Sequence, residues 1–514
     1  MYPALNARNS KILRMVHATS PKRFSAVSVA ICLLGLVAIE ARGQDLDRVN
    51  QDELASFYGR MNVVVGSGAR AFGMGGAFLA RADDATAASW NPAGLSYLRR
   101  TEFSLVGVHN DFSQRIPRAN TVVEPADTSI TTVDQLRASV ADFMGFAYPL
   151  RIGERSGAVQ VSYQRSFSFS GSRRSEGPVG VKGFAPGAAT VLPTEFTVEG
   201  RGGFDTVSLS SGFEVHPKLR LGLSINRWLN GFSQVVNRPN AQNGGYRRIE
   251  STWDISGTNV NLGALIAPTA KLNLGVVYKT PFAAKVQLRK VREDLLFAFD
   301  SQTGDRIEPE FVSHSAASEI RFPKVYGFGA SYQASNTLTI SADFTRTAWS
   351  QATITHFFSL ARKLPEKEGE APMNPIDAYA ELPFPAVEEG INGQSDTSQL
   401  RVGAEWVLRL GGSGNVLLPL RVGAFRDGQP VTVRLDTVAG FPQTRYQEQR
   451  PTFTGLTMGL GVTVGGVIFD VAYIRESGDV PASRFQDSRV FDSQREIRYR
   501  RVFASMIVRF GPRR

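Results

Sequence analysis

Apolar side chains recur at every second position in segments that run almost to the last residue, and the connections between these segments alternate between short and long. In the stretch from Lys218 to Leu229, Leu219, Leu221, Leu223 and Ile225 fall on one face, and Arg220, Gly222, Ser224 and Asn226 on the other. From Thr337 to Arg346, Leu338, Ile340, Ala342 and Phe344 oppose Thr337, Thr339, Ser341 and Asp343; from Gly455 to Val464, Leu456, Met458, Leu460 and Val462 oppose Thr457, Gly459, Gly461 and Thr463. A period of two with one apolar face is the pattern of a strand with unlike surroundings on its two sides. Fourteen such strands are expected near 101–110, 139–149, 156–168, 203–215, 218–230, 256–267, 270–280, 323–333, 336–347, 399–409, 415–426, 453–464, 466–476 and 499–510.

The short connections, such as His216-Pro217, Pro268-Thr269 and Ala334-Ser335, alternate without a miss with long ones over 111–138, 169–202, 231–255, 281–322, 348–398, 427–452 and 477–498. Tight periplasmic turns and long outer loops give that order in an outer-membrane barrel, and an even strand count puts both ends on the periplasmic side. A soluble sandwich or propeller would not need the two lengths to alternate. It would also tolerate charge on the apolar face, where a mid-bilayer Arg or Lys costs about 2–4 kcal/mol. The expected fold is therefore all-β, a 14-stranded antiparallel transmembrane β-barrel over residues 101–514.

The remaining chain divides in two. Residues 1–43 carry a basic start (Arg8, Lys11, Arg14, Lys22, Arg23), an uncharged apolar run from Ala26 to Ile39, and the small-residue ending Ala41-Arg42-Gly43. This is a bacterial secretory signal peptide, too short in its apolar run to span a bilayer comfortably. The single cysteine, Cys32, lies within it, after an Ile31 that does not suit lipidation, so the mature chain has no cysteine and no disulfides. The leader holds six Lys and Arg against Glu40; removing that net of five from the formal +11 leaves about +6, without one concentrated basic face. Nucleic acid is not an expected partner.

Residues 44–100 precede the first strand and begin on the periplasmic side. They hang free or fold into the lumen as a plug, and the Gly, Ala and Met of Gly66–Ala82 favour the plug, because chain inside a barrel must be slender. Gly66-Ser-Gly-Ala-Arg-Ala71 comes close to the glycine fingerprint of a dinucleotide-binding turn, but no strand–turn–helix unit follows, and Gly73, Gly75 and Gly76 would spoil the helix. Asp83-Asp84 are read as capping a helix-compatible Ala85–Ser89.

The block Gly68–Leu95, GARAFGMGGAFLARADDATAASWNPAGL, resembles the N-terminal signature of the FadL/TodX family of outer-membrane transporters for long-chain fatty acids and other hydrophobic compounds. Phe322–Ser350, Leu400–Trp406 and Leu420–Phe425 resemble later strands of that family. The resemblance implies a fourteen-stranded barrel with an N-terminal hatch. It also implies passive uptake of fatty acids or hydrocarbons, and a hatch or gating role for Asn91, Pro92 and Ala93, which match the family's Asn-Pro-Ala motif. It further implies sideways exit near a kinked third strand, whose equivalent Gly157 and Gly171 flank here. Ala82-Asp-Asp-Ala85 and Asn91-Pro-Ala-Gly94 also resemble the FadL-related barrel subunits of the type IX secretion system, which bind secreted partner proteins; that is the alternative reading.

Asp294-Leu-Leu-Phe-Ala-Phe-Asp300 places five apolar residues on an expected outer loop, and Leu295, Leu296, Phe297 and Phe299 are expected to capture apolar ligand there. Glu405, Arg421, Asp343 and Asp470 are expected to point inward as a network holding the plug. The five histidines are scattered and no G-x-S-x-G elbow occurs, so neither metal, cofactor nor enzymatic activity is expected. Expected surroundings and partners are outer-membrane lipid, lipopolysaccharide and the barrel-assembly machinery, whose C-terminal aromatic signal Phe510 resembles, although Gly511-Pro-Arg-Arg514 follows it.

Overall fold

The computed structural model describes residues 66–118, 130–182, 189–239, 246–299, 306–307, 311–362, 376–383, 396–410, 416–429, 451–486 and 489–511. The expected signal peptide lies outside these residues, as does the first part of the expected plug. From Thr101 onward the strand segments form fourteen antiparallel barrel strands. They are β1 (Thr101–Arg118), β2 (Ile130–Ile152), β3 (Arg155–Ser168 continued by Gly171–Lys182), β4 (Ala189–His216), β5 (Leu219–Leu229 and Gly231–Pro239), β6 (Tyr246–Thr269) and β7 (Leu272–Lys279 and Phe282–Phe299). The second half comprises β8 (Phe311–Phe322 and Val325–Gln333), β9 (Leu338–Thr347 and Thr353–Arg362), β10 (Ile376–Pro383 and Thr397–Leu410), β11 (Val416–Gly428), β12 (Thr452–Val464), β13 (Val467–Gln486) and β14 (Arg489–Phe510). Each pairs with the next, and β14 returns to β1 from Thr101↔Phe510 to Arg115↔Glu496. Closure removes both edges, the only way a sheet can satisfy its backbone groups in lipid.

The two faces separate as the alternation requires. Leu221, Leu223 and Ile225 of β5 are exposed, as are Ile340 and Phe344 of β9 and Leu456, Met458 and Leu460 of β12. Between them Ser224, Asn226, Ser341, Asp343 and Thr457 are buried, facing the bore. Exposed apolar side chains in a ring around a closed barrel form the lipid-facing band. Among the described residues no helix is long and apolar enough to cross a membrane, which says nothing of strands.

All fourteen expected strands are present, but the described residues of the expected long loops are largely strand. β4 runs for 28 residues, roughly 90 Å of extended chain, where about 9–11 tilted residues cross a bilayer. The segment 281–322, expected to be a loop, instead supplies Phe282–Phe299 and Phe311–Phe322, paired from Phe282↔Phe322 to Asp294↔Phe311. The reason is physical. Beyond the lipid band both faces meet water, so the apolar alternation disappears while the backbone continues to pair.

Inside the bore runs the segment that precedes β1: helix α1 (Ala69–Gly73), helix α2 (Ala87–Trp90) and a 3-10 helix (Pro92–Tyr97). Gly75 and Gly76, with φ +70° and +77°, turn the chain after α1. Trp90 is its anchor: the indole is 1% exposed, donates Nε1–H to the Ser67 carbonyl at 2.7 Å, and meets Phe72 and Phe78 edge-on at 5.6 and 5.9 Å. Phe72 stacks at 4.3 Å on Phe503 of β14. The bore therefore contains the protein's main hydrophobic cluster.

Candidate functional site

The Asn-Pro-Ala turn sits where the inner segment meets the wall. Asn91 takes the extended conformation (φ −143°, ψ 104°) that a following proline favours, and Pro92 opens the 3-10 helix. The fully buried Asn91 side chain donates Nδ2–H to the carbonyls of Leu79 (2.9 Å) and of Ala264 in β6 (3.1 Å), and its Oδ1 accepts from the Ala93 amide at 3.2 Å. One amide thus joins two stretches of the inner segment to the barrel. The wall is shaved to receive it. A Cβ at Gly222 of β5 would run into the Ala93 amide nitrogen, and one at Gly263 of β6 into Asn91 Oδ1. Gly222 and Gly263 are cross-strand partners, so the recess spans two strands. Sequence reading missed this recess, although a glycine in the middle of each inward face was the available signal.

Charges hold the other side. Arg70 pairs with Asp83 (2.6 Å), Asp84 (3.2 Å) and Glu405 of β10 (3.2 Å), and Arg81 pairs with Asp83 and Glu405. Glu405 continues to Arg421 of β11 at 2.8 Å, and Arg421 to Asp470 of β13 at 2.6 Å. Burial alone would weaken the Arg70 charge, but Asp83, Glu405 and Asp84 around it hold the guanidinium firmly protonated. Burial likewise works against the Asp83 carboxylate, and Arg70 and Arg81 more than offset it, keeping its pKa below the ordinary 3.8. Asp343 of β9 accepts from the backbone amides of Phe78 (2.6 Å) and Leu79 (2.8 Å). Of the four expected inward residues, Glu405 and Asp343 grip the inner segment directly, while Arg421 and Asp470 brace Glu405 from within the wall. The Asp83-Asp84 cap needs correcting. Asp83 pairs with arginines instead, and Asp84 accepts from the Thr86 amide at 2.9 Å, one residue before the short α2.

Between the inner segment and the wall lies a cavity of about 90 Å³, several times the ~10–15 Å³ one water requires. Ala88 and Ser89 floor it, and Phe167, Trp228, Phe282 and Phe322 supply its aromatic side. Phe282 and Phe322 stack at 4.9 Å, and Trp228 stacks on Phe282 at 5.1 Å. Asn226, Asn259 and Asn261 add amides, and Lys279 is the one charged side chain lining the cavity. These residues went unnoticed in the sequence; their signal was aromatic rings on an otherwise polar inward face. Leu295, Leu296, Phe297 and Phe299 belong to the far end of β7, but their side chains lie outside the described residues. Among the described residues no cluster of His, Cys, Asp or Glu could hold a metal ion.

Comparison with known proteins fits this architecture. The Pseudomonas aeruginosa FadL homologue superposes with a TM-score of 0.55 at 15% identity, over 87% of this chain and 99% of that one. The Ralstonia pickettii toluene transporter TbuX gives 0.52 at 16% identity, over 87% and 99%. The Pseudomonas putida toluene transporter TodX gives 0.53 at 13% identity, over 88% and 100%. A family model described as BamG matches residues 187–363, from β4 to β9, and no curated protein matches the sequence. The chain has the barrel fold of the FadL and TodX transporters.

Proposed function

We propose that this protein is a passive channel taking up hydrophobic small molecules, such as long-chain fatty acids or hydrocarbons, across the bacterial outer membrane, to which the signal of residues 1–43 delivers it. The observation that carries the reading is the cavity between inner segment and wall. Its stacked rings offer a slot for one apolar portion of a ligand, and the amides of Asn226, Asn259 and Asn261 give that slot a polar side. The inner segment floors that cavity through Ala88 and Ser89, next to the Asn91–Ala93 turn, so a shift of the turn would open the floor. In this reading residues 44–100 act as the hatch, Asn91, Pro92 and Ala93 as its latch, and Leu295, Leu296, Phe297 and Phe299 as the outer catch for ligand.

The test is direct binding of radiolabelled oleate and toluene to the purified full chain, with the double substitution Phe282→Ala and Phe322→Ala. The substitution should weaken binding of both ligands about tenfold, an order of magnitude in keeping with two lost aromatic contacts. Undiminished binding would move the ligand site elsewhere, and absence of binding to the wild type would end the reading.

One observation favours the alternative, a barrel subunit of a type IX-like secretion system that binds secreted proteins. The strands continue far past the lipid band, as in the 28-residue β4, and build paired surface that a small ligand does not need. Copurification of exported protein with the barrel, without retained lipid or hydrocarbon, would select it.

A further inference from the structure

On the outer side of the barrel, a straight cross-strand row of four charged residues crosses the seam where the sheet closes. Arg137 of β2 faces Asp111 of β1, Asp111 faces Arg500 of β14, and Arg500 faces Arg475 of β13. Neighbouring strands lie about 4.8 Å apart, so the row spans roughly 14 Å. Strand alternation points all four outward. Val502 lies two residues below Arg500 and Val471 four below Arg475 on the same outward face, and both belong to the exposed apolar band. The row therefore stands just above the lipid-facing band, at the end of the barrel that carries the long connections.

Its charges are unbalanced. Arg137 reaches Asp111 only at 3.8 Å, with its own side chain 65% exposed. Arg475 and Arg500 are exposed and make no ion pair with any described residue. Like charges directly opposite one another on adjacent strands destabilise a sheet, so this juxtaposition calls for an anion from outside. Elsewhere on the rim Arg346 is neutralised by Asp396 at 3.2 Å and Arg498 by Glu496. Among the described residues, Arg475 and Arg500 of the row at the seam have no such partner.

We propose that Arg137, Arg475 and Arg500 form a docking site for the phosphate groups of a phosphorylated glycolipid of the outer leaflet, the lipid portion of lipopolysaccharide. Guanidinium forks match phosphate oxygens in pairs. The apolar band directly below would receive the acyl chains of the same molecule, which a free phosphate lacks. The inference uses only the barrel's placement in a membrane and is independent of what the bore conducts.

The test uses the full-length protein in non-ionic detergent, with lipid retention read by native mass spectrometry. The probes are a bis-phosphorylated acylated glucosamine disaccharide, its dephosphorylated counterpart and inorganic pyrophosphate. The triple substitution Arg137→Ala, Arg475→Ala, Arg500→Ala should lower retention of the phosphorylated lipid at least tenfold and leave the dephosphorylated lipid unchanged. Replacing the same three residues with lysine should restore most of it. Because the side chains are exposed, heat-stable folded barrel is expected from both variants, and oleate binding should match the wild type. Equal retention by the alanine variant, equal retention of the dephosphorylated lipid by the wild type, or pyrophosphate bound as tightly as the lipid would each overturn the proposal.

Discussion

Asn91 satisfies three partners with one side chain, and none of them is replaceable by water in a fully buried position. Asn91→Ala removes the donor to the buried Leu79 carbonyl and the tie to the wall at Ala264, whose carbonyl keeps its ladder pairing with Val276, and a buried unsatisfied group costs about 1–3 kcal/mol. The expected outcome is an inner segment that becomes accessible to protease at lower temperature, while barrel unfolding stays where it was. Limited proteolysis along a thermal ramp reads both events. At this scale the sequence was legible for Asn91, because Pro92 restricts it by local sterics alone. It was not legible for Gly222 and Gly263. A glycine in a strand has many possible reasons, and only the Ala93 and Asn91 atoms pressed against these two give the reason here.

The helices of the inner segment are four to six residues long, well below the ~12–15 residues at which a helix persists by itself. They hold their shape because the wall supplies partners, and the Arg70, Arg81, Asp83 group is the part of that grip most open to acid. The folded pKa of Asp83 lies below the unfolded 3.8. Its pairing therefore stabilises the docked segment in full above that range, and the contribution is lost as pH falls through the lowered value. Pepsin digestion should thus release fragments of the inner segment increasingly below about pH 3.8, and Asp83→Asn should remove part of that pH dependence. Between pH 5 and 8 this pairing should leave docking unchanged. Strand ends show the converse limit of sequence reading. Residues 171–182 and 189–202 are paired strand, yet carry no apolar alternation, since with water on both sides nothing selects one face.

For the whole molecule, the bore is filled by its own chain. Deleting residues 66–98 should leave a closed barrel, because the β14–β1 seam uses none of them, and should convert it into a water-filled pore. Planar-bilayer conductance is expected to rise at least tenfold over the intact protein; unchanged conductance would mean that the bore is blocked by something else. By itself the sequence determined the number of strands, their order and which face meets lipid. Those properties follow from a two-residue period, a local quantity that the bilayer enforces residue by residue. Only the tertiary structure decided that Arg70 meets Glu405, that aromatic rings from β3, β5, β7 and β8 line one cavity, and that three arginines from β2, β13 and β14 form one row. These contacts join residues scattered along the whole chain, and they exist only because the sheet closes in one particular register.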